Sequence, residues 1–139
     1  MPEMAAALAS IQMDRLEAYI AARRKNAKAL TEKVSRLKGA ELTQESSDRK
    51  HVWYLYTVFL AKGRDQVIQK LRARGIGAVA YWETPVNRMP LYKRLGYAGL
   101  KLPMALSAAG HVLSLPVHPG LSEEEVEFVG QEFVKAVKG

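Results

Sequence analysis

Apolar side chains at Met4, Leu8, Ile11, Leu16, Ile20, Ala27, Leu30, Val34 and Leu37 recur at helical spacing, and no Gly or Pro interrupts the stretch from Glu3 to Lys38. The pattern predicts one long amphipathic helix stopped by Gly39. At about 1.5 Å per residue it would reach about 50 Å, longer than a small domain needs for its own core. Part of its apolar face is therefore expected to project beyond the local fold, toward something outside it. The polar stretch 39–50 reads as a loop. Residues 52–60, Val-Trp-Tyr-Leu-Tyr-Thr-Val-Phe-Leu, form an unbroken β-favouring run, the mark of a buried strand.

Past Gly63, Asp65 is a candidate N-cap for a helix whose inner face carries Val67, Ile68 and Leu71, and Gly75-Ile76 fits a left-handed stop. A second strand is expected over 77–82. Residues 84–99 read as a long connection punctuated by Pro85, Pro90, Gly96 and Gly99, with Tyr81, Tyr92 and Tyr97 in or beside it; connections of this length are commonly functional. Pro103 suits the first turn of a short helix through Ala109, closed by Gly110, before a third strand over 111–115 and a rigid Pro116–Gly120 connector. The last helix has the clearest grammar: Ser122 and Glu125 at capping-box spacing, Leu121 and Val126 at staple positions, then Val126, Val129, Phe133 and Val137 as a buried stripe. The order α-β-α-β-α-β-α implies a two-layer α/β sandwich covered chiefly on one side.

Length and composition narrow the class. A chain of 139 residues is one domain's worth and buries enough surface to hold a core. Zero cysteines exclude disulfides, a thiol nucleophile and thiolate metal sites. No apolar run approaches a membrane span, and the N-terminus lacks a basic region followed by an apolar core, so a cytoplasmic protein without membrane contact is expected. The formal net charge of +7 is spread over the first three quarters of the chain. With no recognition motif beside it, the charge does not favour nucleic-acid binding.

Little in the sequence announces chemistry by itself. His51, His111 and His118 lack ligand spacing for a metal, and Gly75-Ile76-Gly77 follows a helix, the reverse of the order a phosphate cradle requires. No Gly-x-Ser-x-Gly elbow is present. Glu123, Glu124 and Glu125 are explained by the start of a helix. Glu83 stands out as the one acid between residues 76 and 120, next to Tyr81 and Trp82 at a strand end, where it could face a pocket.

Taken together, several pieces resemble the DegT/StrS-type PLP-dependent sugar aminotransferases. They are the helix opening Met1-Pro-Glu-Met through Leu16, His51-Val-Trp53-Tyr-Leu-Tyr56, Arg64-Asp65, Leu71 to Gly75-Ile76, Tyr81 to Pro85, Pro90-Leu-Tyr92, Leu102-Pro103, and Leu113-Ser-Leu-Pro116-Val-His118-Pro119-Gly-Leu121-Ser122. They follow in the family's order over essentially the whole chain. The resemblance implies the small C-terminal domain of such an enzyme: a small, mainly antiparallel sheet covered by helices, as in fold-type I aminotransferases. Residues 1–38 would be the bridging helix and 39–139 the α/β body.

The family's larger domain, with the Schiff-base lysine and the acid that pairs with the pyridinium nitrogen, has no counterpart among these residues. The resemblance thus implies pyridoxal phosphate for the complete enzyme, no cofactor and no catalytic residue in this chain alone, and no independent transamination. Where the family commonly shows a His-Tyr pair and a Pro-Leu-His segment on its substrate-facing loop, this chain has Ala80-Tyr81 and Pro85-Val86-Asn87. Tyr81 and Asn87, with Glu83, are the substrate-proximal candidates. The expected partners are a chain carrying the lysine domain or a second copy joined through the long helix, the latter as a self-associating regulatory module.

Overall fold

The structure, a computed structural model, describes residues 2–139. Helix α1 spans Glu3–Val34, 32 residues, or about 48 Å at the usual rise. Its two halves meet different surroundings. Asn26, Ala27, Leu30 and Val34 are buried, whereas Met4, Leu8, Ile11, Met13 and Leu16 on the first half are exposed, Leu8 at 60%. The expected projection of an apolar half-helix is present. Gly39, at φ +81°, turns the chain into strand β1, Ala40–Leu42.

Strand β1 pairs antiparallel with β2, Tyr56–Leu60, in the register Ala40↔Leu60, and β2 pairs antiparallel with β3, Val112–Leu115, in the register Tyr56↔Leu115. The sheet order is β1-β2-β3. Period-two alternation places Tyr56, Val58 and Leu60 in the core and leaves Thr57 and Phe59 on the other face, where Phe59 stacks on His111 at 4.9 Å. Helices α2, Arg64–Ala73, and α5, Glu123–Lys138, pack with the second half of α1 over the core face. The core gathers Leu30 and Val34 of α1, Leu71 of α2, Leu113 of β3 and Phe133 of α5. The Tyr56 hydroxyl, carried into this core, meets Thr31 Oγ1 at 3.0 Å, and burial pushes its phenol above the ordinary tyrosine range.

Two local motifs form as their sequences dictate. At the end of α2, Gly75 takes φ +76°, its N–H bonds Arg72 O at 2.9 Å and the Ile76 N–H bonds Leu71 O at 3.0 Å, the paired bonds of a Schellman stop. At the start of α5, the Glu125 N–H donates to Ser122 Oγ at 3.1 Å and the Ser122 N–H to Glu125 Oε2 at 2.8 Å.

Elsewhere the structure differs from the sequence pattern for identifiable reasons. The expected loop 39–50 contains β1, which is only three residues long and follows the Gly39 turn. The expected strand 52–60 is regular only from Tyr56, because Trp53 sits at φ +50°: its N–H bonds the ring Nδ1 of His51 at 2.9 Å and its carbonyl accepts from Arg23. Backbone groups satisfied by side chains in this way leave no ladder to form. The stretch 77–82 meets β3 only through Val79 and Ser114, which exchange bonds of 2.7 and 3.1 Å. Gly63, at φ +72°, holds the N-cap position of α2, with Asp65 in the first turn rather than at the cap. Helix α4, Pro103–His111, runs through Gly110, and the connection before it is wound into short turns and the helix α3, Pro90–Arg94.

Polar contacts tie α1 to its surroundings. Lys33 meets Glu127 at 2.6 Å, Lys25 pairs with Glu123, and Asn26 Nδ2 donates to His118 O at 3.0 Å. Gly130 permits close approach here, since a Cβ would lie 2.6 Å from Lys33 Cδ. Arg24 forks onto both oxygens of Glu45, at 2.6 and 3.0 Å, and also donates to His51 O. The Arg24 bond, followed by one from the His51 N–H, holds the Glu45 carboxyl below the ordinary range.

Two outcomes follow from this packing. Phe133→Ala, at 0% exposure, should lower unfolding stability by about 3–5 kcal/mol and Ser122→Ala by about 1 kcal/mol, read from urea midpoints at unchanged slope. A depressed folded-state carboxyl binds protons less readily than the unfolded one, so Glu45 contributes stability above the ordinary glutamate range and loses it as pH falls through its lowered folded value. Glu45→Gln should therefore be less stable than the wild type at neutral pH, with the gap closing on acidification; a gap that does not change with pH would contradict this role.

Candidate functional site

A cleft of about 640 Å³ opens where the middle of α1, the Gly75–Gly77 turn, the end of β3 and the first turns of α5 converge. That volume lies in the range of small-molecule sites, about 300–1,000 Å³. Its floor is apolar, built from the buried Ile76, Leu115, Val117 and Val129. Its rim is polar and aromatic, formed by Arg23, Tyr54, Tyr81, His118, Glu125 and Phe128.

The sequence positions this rim through backbone geometry. Pro116 and Val117 carry the chain from β3 into the cleft wall, and the Asn26 bond to His118 O fixes that wall against α1. Gly75 and Gly77 leave open space where side chains would stand. The left-handed backbone of Trp53 turns Tyr54 outward to 74% exposure, and Arg23 Nη1 bonds the carbonyls of Trp53 and Tyr54 at 3.4 and 3.2 Å. The guanidinium carbon lies 5.8 Å from the Tyr54 ring centroid. A bulky residue at positive φ costs on the order of 1–3 kcal/mol. Its persistence here is explained by the His51 bond, the Arg23 bonds and the stacking of the buried Trp53 ring on Tyr56 at 5.6 Å.

The three sequence candidates do not converge on one site. Tyr81 lines this cleft. Glu83 is exposed and lines neither this cleft nor the smaller cavity near Asn87. Asn87 is buried; its Nδ2 donates to Leu100 O at 3.1 Å, pinning the two ends of the 87–100 connection together, and its Oδ1 is buried without a partner. It lines a separate cavity of about 300 Å³ with Pro85, Arg88, Leu100, Lys101 and Leu106 among its walls. The outer surface of this connection is apolar, with Leu91, Leu95, Tyr97 and Leu100 exposed.

Sequence reasoning missed Arg23, Tyr54, His118 and Phe128. Arg23 reads as one charge of the basic surplus spread along the chain, and Tyr54 as one residue of a strand, until the Trp53 turn is seen. His118 lies in a connector whose Pro-flanked stiffness was legible, but whose facing elements were not.

The cleft does not fit pyridoxal phosphate as a resident cofactor. No lysine lines it, and its one carboxylate, Glu125, is engaged in the capping box. Lys25, Lys33 and Lys135 lie elsewhere, each paired with a glutamate. Among the described residues no group of three His, Asp or Glu side chains could hold a metal ion, and no helix is long and apolar enough to cross a membrane.

The chain has extensive relatives. It is 39% identical to the dTDP-4-dehydro-2,3,6-trideoxy-D-glucose 4-aminotransferase of Saccharopolyspora spinosa over 98% of this chain and 34% of that protein. It is 33% identical to a pleiotropic regulatory protein of Geobacillus stearothermophilus over 96% of this chain and 36% of that one. The crystal structure of S. venezuelae DesV in complex with a ketimine intermediate superposes with a TM-score of 0.93 at 29% identity, covering 100% of this chain and 37% of that one. The chain thus spans about a third of the length of the relatives it matches. With the family's sequence model matching residues 1–134, the chain belongs to the DegT/DnrJ/EryC1/StrS aminotransferase family.

Proposed function

We propose that these residues act as the small C-terminal domain of a pyridoxal-phosphate sugar aminotransferase, with α1 as the helix that bridges to the lysine-bearing domain and residues 39–139 as the body that closes over the substrate. The observation that carries this reading is the match along nearly the whole chain to about a third of each relative. The cleft supplies no amine for the cofactor, so this third is catalytically incomplete and works with the remainder of the fold, in the cytoplasm. In that arrangement Tyr81, on the lining of the cleft, is the residue near the sugar; Asn87, buried in its separate cavity, acts through the 87–100 connection it pins, and Glu83 stands outside both cavities. On the resemblance read from the sequence, Ala80 and Asn87 take positions where the family commonly has imidazoles, so two protonatable groups are absent from that loop.

The 139-residue chain mixed with pyridoxal phosphate should give no borohydride-fixed adduct and no amino transfer between a keto sugar and glutamate. Activity should appear only when a protein holding the family's lysine domain is added. Amino transfer by the purified chain alone would overturn the reading.

A second reading is favoured by the exposed stripe Met4, Leu8, Ile11 and Leu16: in isolation the chain covers this surface with a second copy. Sedimentation should then show a dimer at micromolar concentration, and the pair Leu8→Asp with Ile11→Asp should shift it to monomer with the circular dichroism otherwise kept. A wild-type monomer at those concentrations sinks self-association and leaves the family reading untouched.

A further inference from the structure

Apart from Tyr81, the cleft beneath Arg23 carries binding chemistry that the transaminase reading does not use. Arg23 commits only Nη1, to two backbone carbonyls; among the described residues its Nε and Nη2 donate no hydrogen bond. Those N–H groups form the edge of a guanidinium that grips a planar oxyanion in two-pronged fashion. Because Nη1 is already anchored, the plane of the fork is set before any ligand arrives, which reduces the ordering cost of binding.

The same lining carries three partly exposed aromatic rings, Tyr54, Tyr81 and Phe128, at 74, 54 and 40% exposure; the Arg23 guanidinium carbon lies 5.8 Å from the Tyr54 centroid and that of Arg74 5.9 Å from the Phe128 centroid. Among the described residues neither the Tyr54 nor the Tyr81 phenol makes a hydrogen bond. Exposed rings around an apolar floor offer stacking area at small entropic cost. Glu125 is the one negative group on the lining, and its Oε2 accepts from the Ser122 N–H at the positive end of α5.

We infer that the cleft binds a small planar ring bearing an oxyanion, with the ring among Tyr54, Tyr81 and Phe128 and the oxyanion held by Arg23 through Nε and Nη2. An aryl carboxylate and an aryl phosphate share this chemistry. The inference stands on the cleft's geometry and is independent of the proposed lysine-domain partnership, so a failure of either leaves the other standing.

The test is a titration of the full ¹⁵N-labelled chain, followed by amide shifts, with benzoate, phenyl phosphate and inorganic phosphate. At least one aryl oxyanion should saturate and move the Gly75, Gly77, Val117 and Leu121 amides, and the preferred one tells carboxylate from phosphate. Inorganic phosphate should bind about tenfold more weakly or less, a difference of about 1.4 kcal/mol. Arg23→Gln should weaken aryl binding by about tenfold or more, the size of a lost charge-assisted pair. Because Arg23 also holds the Tyr54 turn, Phe128→Ala is the companion variant: it should weaken the aryl probes and leave inorganic phosphate unchanged. The inference is overturned by shifts that do not saturate or that fall outside the cleft, by inorganic phosphate binding as tightly as the aryl probes, or by unchanged aryl affinity in both variants.

Discussion

The fold depends on the packing of the second half of α1 against α5 and the sheet. Leu30, Val34 and Phe133 share one core with Tyr56, Val58 and Leu113, and the polar contacts along the same seam, from Asn26 to His118 O and from Lys33 to Glu127, fix its register. A three-stranded sheet with a β1 of three residues is marginal alone. It becomes ordered because helices cover one of its faces. The cleft is a by-product of this packing: its walls come from α1, β3 and α5, and the seam sets the distance between them.

The same helix has no internal reason to continue for four further turns. Its first half adds exposed Met, Leu and Ile to a chain that gains nothing from burying them locally. Burial of apolar surface is worth about 25 cal/mol per Å², so this stripe represents several kcal/mol of unrealised association energy. The exposed Leu91, Leu95, Tyr97 and Leu100 on the 87–100 connection form a second such surface. Two preformed apolar surfaces on a body with its own filled core offer area that the local fold does not bury.

Legibility in the sequence followed the range of the interaction. The Ser122–Glu125 box and the Gly75-Ile76 stop are closed within six residues, and both formed as their patterns indicate. The long helix and the stripe of α5 were legible because their periodicity persists over many turns. The β-favouring run over 52–60 becomes a strand only from Tyr56 because the deciding partner, Arg23, is 30 residues away and acts on a backbone carbonyl. Apolar content marks Trp53 as a core residue, and it is buried, but no sequence pattern signals that its ring enters the core through a left-handed turn. Asn87 was singled out by likeness to a family position; its bond to Leu100 O, across 13 residues, depends on a fold of the connection that propensity does not describe.

That turn links stability to the site. Were Trp53 in extended backbone, Tyr54 and Leu55 would continue β2, the alternation of the strand would carry through, and Arg23 would find no paired carbonyls to grip. The positive φ at a tryptophan is unfavourable locally, and Gly would relieve it, yet Gly would remove the ring that stacks on Tyr56 and lies 4.4 Å from His51. Keeping a large aromatic in that conformation therefore trades local strain for three things at once: a core anchor, an outward Tyr54 and a fixed guanidinium. Only the first serves folding. The other two shape the rim of the cleft, which is why the strained turn belongs to the site as much as to the core.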